Sequence, residues 1–190
     1  TLLIVSWALP GVITVQVWVA LLNYNFGAIN RLLGVLGIYP IPWLNDPDWA
    51  KVAVLLVNLW LGFPYMMTAT LGALSTIPDE LYEAAKVDGA TPWQRFRFVT
   101  WPMLRPVTAV LLLYGLLGTM YSFNIVYMMF GHGAGYPGEW GDLLMTNLFR
   151  NTFGLWNFGL GAAASTLYML LSLGLILFWY RVFREDLRAR

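Results

Sequence analysis

The chain has 190 residues, 59% of them apolar and 11% charged, with a formal net charge of +1. A soluble domain carries about 25% charged residues, so the composition argues against an ordinary water-soluble globule, and the near-neutral balance leaves no electrostatic footprint for nucleic acid. With no cysteine and a single histidine, His132, the chain has no means to build disulfides, thiol catalysis, or a cysteine or histidine metal centre of its own.

The apolar residues gather into four runs, 1–22, 52–77, 107–130 and 159–180, none containing Asp, Glu, Lys, Arg or His. A bilayer crossing takes about 20 apolar residues, so each run reads as a membrane span and the fold as an all-α bundle. The sequence starts at Thr1 inside the first run, without a basic n-region or an Ala-x-Ala site. It therefore reads as part of a longer protein, not as one opening on a secretory signal.

In chain order, the first span carries Pro10-Gly11 near its middle, where proline removes a backbone bond and predicts a kink. In the loop 23–51, apolar residues at helical spacing over 29–36 predict a short helix in the outer interface, and three prolines in 39–48 predict an extended stretch. Gly62-Phe63-Pro64 marks a second kink inside the second span. The next segment predicts two short helices. The first begins after Pro78, with Asp79, Glu80 and Glu83 at its positive end, and stops at Gly89. The second opens with the capping box Thr91-Pro92-Trp93-Gln94 and ends at Trp101-Pro102, where the third span follows. The fourth span opens on Gly159, Gly161 and three alanines, small residues that let helix backbones approach closely.

Basic residues set orientation, because cytoplasmic loops carry the excess of Lys and Arg. Lys86, Arg95, Arg97 and Arg105, with Arg181, Arg184, Arg188 and Arg190 in the tail, make eight; Arg31, Lys51 and Arg150 in the alternate loops make three. The segment 78–102 and the C-terminus are therefore expected in the cytoplasm. Trp43, Trp49 and Trp179 fit interfacial belts.

Residues 83–102 read EAAKVDGATPWQRFRFVTWP. Glu83, Ala84, Ala85, Gly89 and Pro102 match, at the right spacing, the E-A-A-x3-G-x9-I-x-L-P loop of permease subunits of binding-protein-dependent ABC importers. Val99 and Trp101 are apolar replacements within it. The resemblance extends over essentially the whole chain to maltose-type (MalF-like) permease subunits. It includes residues 23–30, Asp46-Pro47, residues 58–67 and 77–85, and the Phe158-Gly-Leu-Gly-Ala-Ala-Ala-Ser165 stretch.

The resemblance implies a MetI-like ABC permease domain over 1–190, truncated at its N-terminus, with the coupling loop 78–102 inside it. It also implies a MalG-like second permease subunit, a MalK-like ATPase dimer that binds ATP and Mg, and an extracytoplasmic sugar-binding protein, all at a bacterial or archaeal inner membrane. No cofactor is expected on this chain, which carries no G-x-x-x-x-G-K-[ST] loop. As helix physics, the coupling loop is a compact, capped knob. Glu83 would pair in a docking cleft, the alanines permit close approach, and Gly89 allows the sharp turn.

The sugar path is expected where the spans are polar, since polar groups in hydrocarbon face the bundle interior. Asn58, Leu61, Gly62 and Tyr65 follow i, i+3, i+4, i+7 and offer an amide, a gap and a phenol on one helical face. By resemblance these are substrate-contact positions, as are Gly115, Gly118, Thr119 and Ser122, and Trp7 lines the path. The third-span set is poorer in asparagine and aromatics than the maltose pattern, and Gly118 would admit a different disaccharide. The alternative for Asn58 is helix packing, bonded to a neighbouring helix; for Trp7 it is packing or lipid contact. His132, Glu139 and Asp142 read as loop residues.

The function expected is a permease subunit, not an enzyme, importing maltose, trehalose or related α-glucosides. The alternatives are a permease for glycerol phosphate or another oligosaccharide, a membrane enzyme, or a passive channel or scaffold. No cationic group in the spans favours a phosphate, no acid-base or metal pair favours an enzyme, and the coupling loop is superfluous to a channel.

Overall fold

A computed structural model describes residues 9–120, 122–130 and 143–188. Among these there is no strand. The helices are α1 (Gly11–Leu21), α2 (Ala28–Val35), α3 (Pro47–Leu74), α4 (Asp79–Val87), α5 (Pro92–Met120), α6 (Phe123–Met129), α7 (Leu144–Phe149) and α8 (Phe158–Arg188). Helices α3, α5 and α8 are long and apolar enough to cross a membrane, and α1 is a shorter apolar helix. At 1.5 Å per residue the 28 residues of α3 span about 42 Å, more than a hydrocarbon core of about 30 Å.

The first expected span is described only in part, because residues 1–8 lie outside the described set. Pro10 is not a mid-helix kink. Its extended backbone (φ −53°, ψ 133°) makes it the residue that starts α1. The kink candidate Pro64 lies inside α3, which continues through it.

The two largest departures concern helix ends. Trp101-Pro102 does not end the helix that opens at Pro92. Residues Phe96–Thr100 form a π-helical turn, with the Trp101 amide bonded to the Phe96 carbonyl, and the helix runs on unbroken into the span. A proline ring clashes with the carbonyl four residues back, here that of Phe98, and a widened turn relieves that contact. The third expected span, in contrast, is interrupted: α5 stops at Met120 and α6 starts at Phe123. Ser122 donates its hydroxyl to the Gly118 carbonyl at 3.1 Å, giving the helix end a side-chain partner in place of the next turn.

Chain contacts divide the protein into two units. Unit 1 comprises Thr1–Pro64 and Gly118–Met169. Its core joins Val15 of α1 and Leu22 just past its end, Ala50, Ala53 and Val57 of α3, and Ile125, Val126 and Met129 of α6, with Trp43 and Phe130. Ala50, Ala53 and Val57 recur at helical spacing, so α3 buries a narrow, small-residue stripe. Asp46 starts that helix: its carboxylate accepts from the amides of Asp48 (3.1 Å) and Trp49 (3.2 Å), with Pro47 at the first position.

Asn30 organises the α1–α3 connection. It is buried, accepts from the Ile41 amide (3.1 Å) and the Trp43 indole (3.0 Å), and donates to the carbonyls of Ile41 (2.9 Å) and Tyr24 (3.3 Å). One side chain thus supplies the pairing that a loop without a ladder lacks.

Unit 2 comprises Tyr65–Leu117 and Leu170–Arg190. It holds α4, most of α5 and the end of α8. Leu104, Ala109 and Leu111 of α5 and Ser172 of α8 are its buried residues along the spans.

Candidate functional site

In unit 1, α3 and the broken end of α5 bring three predicted polar residues together. Asn58 donates from Nδ2 to Thr119 Oγ1 at 3.3 Å and accepts at Oδ1 from the Ser122 hydroxyl at 3.0 Å. The Gly118 carbonyl is a second acceptor for the same Ser122 hydroxyl, at 3.1 Å, so its one hydrogen is shared between Asn58 and Gly118. Asn58 therefore does bond to a neighbouring helix, as the packing alternative requires, and its partners are two of the other predicted contact residues. Space stays open beside them: a Cβ built at Gly62 or at Gly118 would meet nothing within 4 Å. Leu61 is half-buried against the unit 1 core.

The cluster is neutral. Asn58, Thr119 and Ser122 offer amide and hydroxyl groups that both donate and accept, the chemistry a hydroxylated ligand matches. Among the described residues no group of His, Cys, Asp or Glu could hold a metal ion.

In unit 2, Tyr65 of α3 lies against Tyr114 of α5, ring centroids 4.5 Å apart and tilted by 37°. Tyr114 is half exposed. Nothing in the α3 pattern points to it; its position one turn before Gly118 is the one signal for it in the sequence. Gly115 sits under Met66, whose terminal methyl a Cβ there would strike. Trp7, His132, Glu139 and Asp142 lie outside the described residues.

The segment 78–102 also belongs to unit 2, and the caps expected for it form. Helix α4 starts after an extended Pro78, with Asp79 and Glu80 in its first turn and Lys86 in its last. Asp88 ends it. Gly89 takes φ +76°, and the amides of Gly89 and Ala90 bond to the carbonyls of Lys86 (3.0 Å) and Ala85 (2.9 Å). This pair of bonds is the Schellman arrangement, in which a left-handed residue closes the helix. Two residues later Thr91 and Gln94 cap α5 reciprocally, at 3.3 Å and 2.8 Å, with Pro92 between them. Tyr82 and Thr100 share a hydroxyl hydrogen bond of 2.9 Å that ties α4 to α5. Glu83 and Ala84 are exposed and Ala85 is half-buried, so the first two face outward from a capped corner while Ala85 packs partly inward.

The family of binding-protein-dependent transport system inner membrane components matches residues 1–189. The chain belongs to that family. Among curated relatives, the galactooligosaccharides transport system permease protein GanP of Bacillus subtilis is 35% identical over 95% of this chain and 44% of its own length. The trehalose/maltose transport system permease protein MalF of Thermococcus litoralis is 34% identical, covering 97% of this chain and 62% of its own. The maltose/maltodextrin permease protein MalF of Vibrio parahaemolyticus is 40% identical over 95% of this chain and 36% of its own. A crystal structure of a bacterial alginate ABC transporter, in complex with an alginate pentasaccharide-bound periplasmic protein, superimposes with a TM-score of 0.85 at 25% identity, over 96% of this chain and 63% of the other.

This member of the binding-protein-dependent family is thus a multi-pass, all-helical inner-membrane permease component with a MetI-like fold. It spans about 44% and 62% of the first two relatives. The maltose-type resemblance read from the 58–67 and 77–85 stretches agrees with the identities of 34–40% to maltose, trehalose and maltodextrin permeases.

Proposed function

We propose that this chain is part of the permease of an ATP-driven importer for maltose- or trehalose-type α-glucosides. The observation that carries the reading is the neutral Asn58–Thr119–Ser122 cluster beside the open space at Gly62 and Gly118, in a chain similar to sugar permeases. An amide and hydroxyls without charge suit sugar hydroxyls, and the absence of cations from the apolar runs 52–77, 107–130 and 159–180 disfavours a phosphate. Asn58, Leu61, Gly62, Tyr65, Gly118, Thr119, Ser122 and Trp7 are the proposed substrate contacts.

The second element is the coupling segment, residues 78–102 within a permease domain over 1–190. Glu83, Ala84, Ala85 and Gly89 form the knob, and Pro102 lies where the helix becomes the span. This knob docks on a MalK-like ATPase dimer, which binds ATP and Mg. The bias of basic residues supports a cytoplasmic position for it and for the C-terminus. A MalG-like permease partner and an extracytoplasmic binding protein complete the assembly. ATP-driven closure of the ATPase dimer moves the knob and opens the site outward, and hydrolysis reopens it inward, as alternating access requires.

The similarity to GanP favours one competing substrate, a galactooligosaccharide. The test is ATP hydrolysis and transport by the full complex in lipid vesicles with its binding protein, across maltose, trehalose, maltodextrins and galactooligosaccharides. Wild type is compared with Asn58→Ala and Tyr65→Ala. Stimulation by an α-glucoside whose transport is lost in both variants supports the reading. Stimulation by a galactooligosaccharide alone replaces the substrate, and normal transport by the variants removes the site assignment.

A further inference from the structure

In unit 2, α5 and α8 are tied at two levels. The Trp179 indole donates to the Ala109 carbonyl at 2.9 Å, across 70 residues of sequence. One turn nearer the start of α5, Arg105 Nε pairs with Asp186 Oδ1 at 3.1 Å. Trp179 and Asp186 are seven residues apart, two turns of α8; Ala109 and Arg105 are four apart, one turn of α5. The numbering rises on one helix as it falls on the other, so the two ties line one antiparallel seam.

Ala109 is fully buried in that seam, and its small side chain permits the close approach an indole–carbonyl bond needs. The Asp186 side chain is only 14% exposed, against 53% for Arg105. An exposed pair would contribute little, but a mostly buried carboxylate that loses its partner is left uncompensated. Phe183 packs on Trp179 with ring centroids 5.8 Å apart and holds the indole in place. The Tyr82–Thr100 bond carries the chain of ties on to α4.

We infer that Trp179 and Asp186 are positioning residues that brace the coupling segment, so that Tyr65–Leu117 and the end of α8 move as one body. What that motion achieves rests on the coupling reading above. The C-terminal part of α8 then acts as a splint for the helix that enters the membrane from the knob, and energy delivered at Glu83 is not dissipated in bending α5 away from α8.

The test uses the full complex with spin labels at Val87→Cys and Arg184→Cys, both exposed, in a chain that has no cysteine of its own. The brace predicts one narrow label-to-label distance, the same with and without ATP. Arg105→Asp and, as a mild variant, Trp179→Phe should each broaden it, and Arg105→Asp/Asp186→Arg should narrow it again. In the same variants the ATP hydrolysed per sugar imported should rise about fivefold and return in the charge swap. A distance that shifts with ATP in the parent overturns the inference. So does a distribution that neither single change broadens, or a loss of hydrolysis and transport in equal proportion, which marks a folding role. If no sugar stimulates hydrolysis in a parent whose distance stays narrow and ATP-independent, the brace stands and the transport reading fails.

Discussion

Ser122 donates its hydroxyl to the Asn58 side chain at 3.0 Å although 64 residues separate them. That bond joins a mid-span amide to the point where α5 breaks, and it leaves the glycines at 62 and 118 facing open space. Gly62→Ala and Gly118→Ala should therefore narrow the proposed sugar site without a clash inside the chain. The thermal midpoint of the complex should hold, while KM for the transported sugar rises about tenfold or more. Equal losses of stability and transport would assign these glycines to packing.

Gly89 and Thr91 test the capped corner between α4 and α5. Gly89→Ala forces a Cβ into the left-handed region and should cost about 1 to 2 kcal/mol. Thr91→Ala removes a cap bond and should cost about 1 kcal/mol. Gly34→Ala, at an ordinary φ with open space around it, is the control. Amide exchange over residues 79–95 should quicken in the first two and not in the third.

At the start of α8, a Cβ on Gly161 would overlap the Thr152 side chain, whose hydroxyl is bonded to the Leu148 carbonyl at 2.7 Å. Gly161→Ala should lower stability by about 1 to 3 kcal/mol. Thr152→Ala should rescue it only in part, because the threonine Cβ itself lies 2.8 Å from the new methyl position. Gly159→Ala, with nothing within 4 Å, should be tolerated.

Asn30→Ala should be the most damaging change in the α1–α3 connection. It strands the Ile41 amide and the Trp43 indole, both bonded to Oδ1, at about 1 to 3 kcal/mol for each unpaired buried group. Asn30→Asp keeps the acceptor but cannot donate to Tyr24 and Ile41, and should not restore wild-type stability in thermal unfolding.

The local signals in this sequence were accurate where one turn of chain decides the outcome. Gly89, Thr91 and Gln94 cap where their chemistry demands, and the short helix expected at 29–36 is α2, Ala28–Val35. Proline was the poor guide. Pro102 was read as a stop, but a chain entering hydrocarbon cannot leave backbone groups unpaired, and the π turn at 96–100 preserves continuity instead. The break at Ser122 was hidden for the converse reason. The run 107–130 carries no charge and no proline to mark an end, and the hydroxyl of Ser122 becomes a substitute partner only once the helix end exists. The spacing of Asn58, Leu61, Gly62 and Tyr65 identified a face of α3. It could not identify Tyr114 across from Tyr65, because that contact depends on packing between helices distant in sequence.

The π turn at Phe96–Thr100 also sets a phase. Each residue of an α-helix advances it by about 100°, and one wide turn holds a residue more than an α turn would. Deleting a single residue there, with the helix kept continuous, would leave α5 in the same span but swing Glu83, Ala84 and Ala85 about a quarter of a circle around its axis. The direction in which the knob points is thus written in the count of residues between Thr91 and Pro102, and a chain altered by one there would present the same surface to the wrong side.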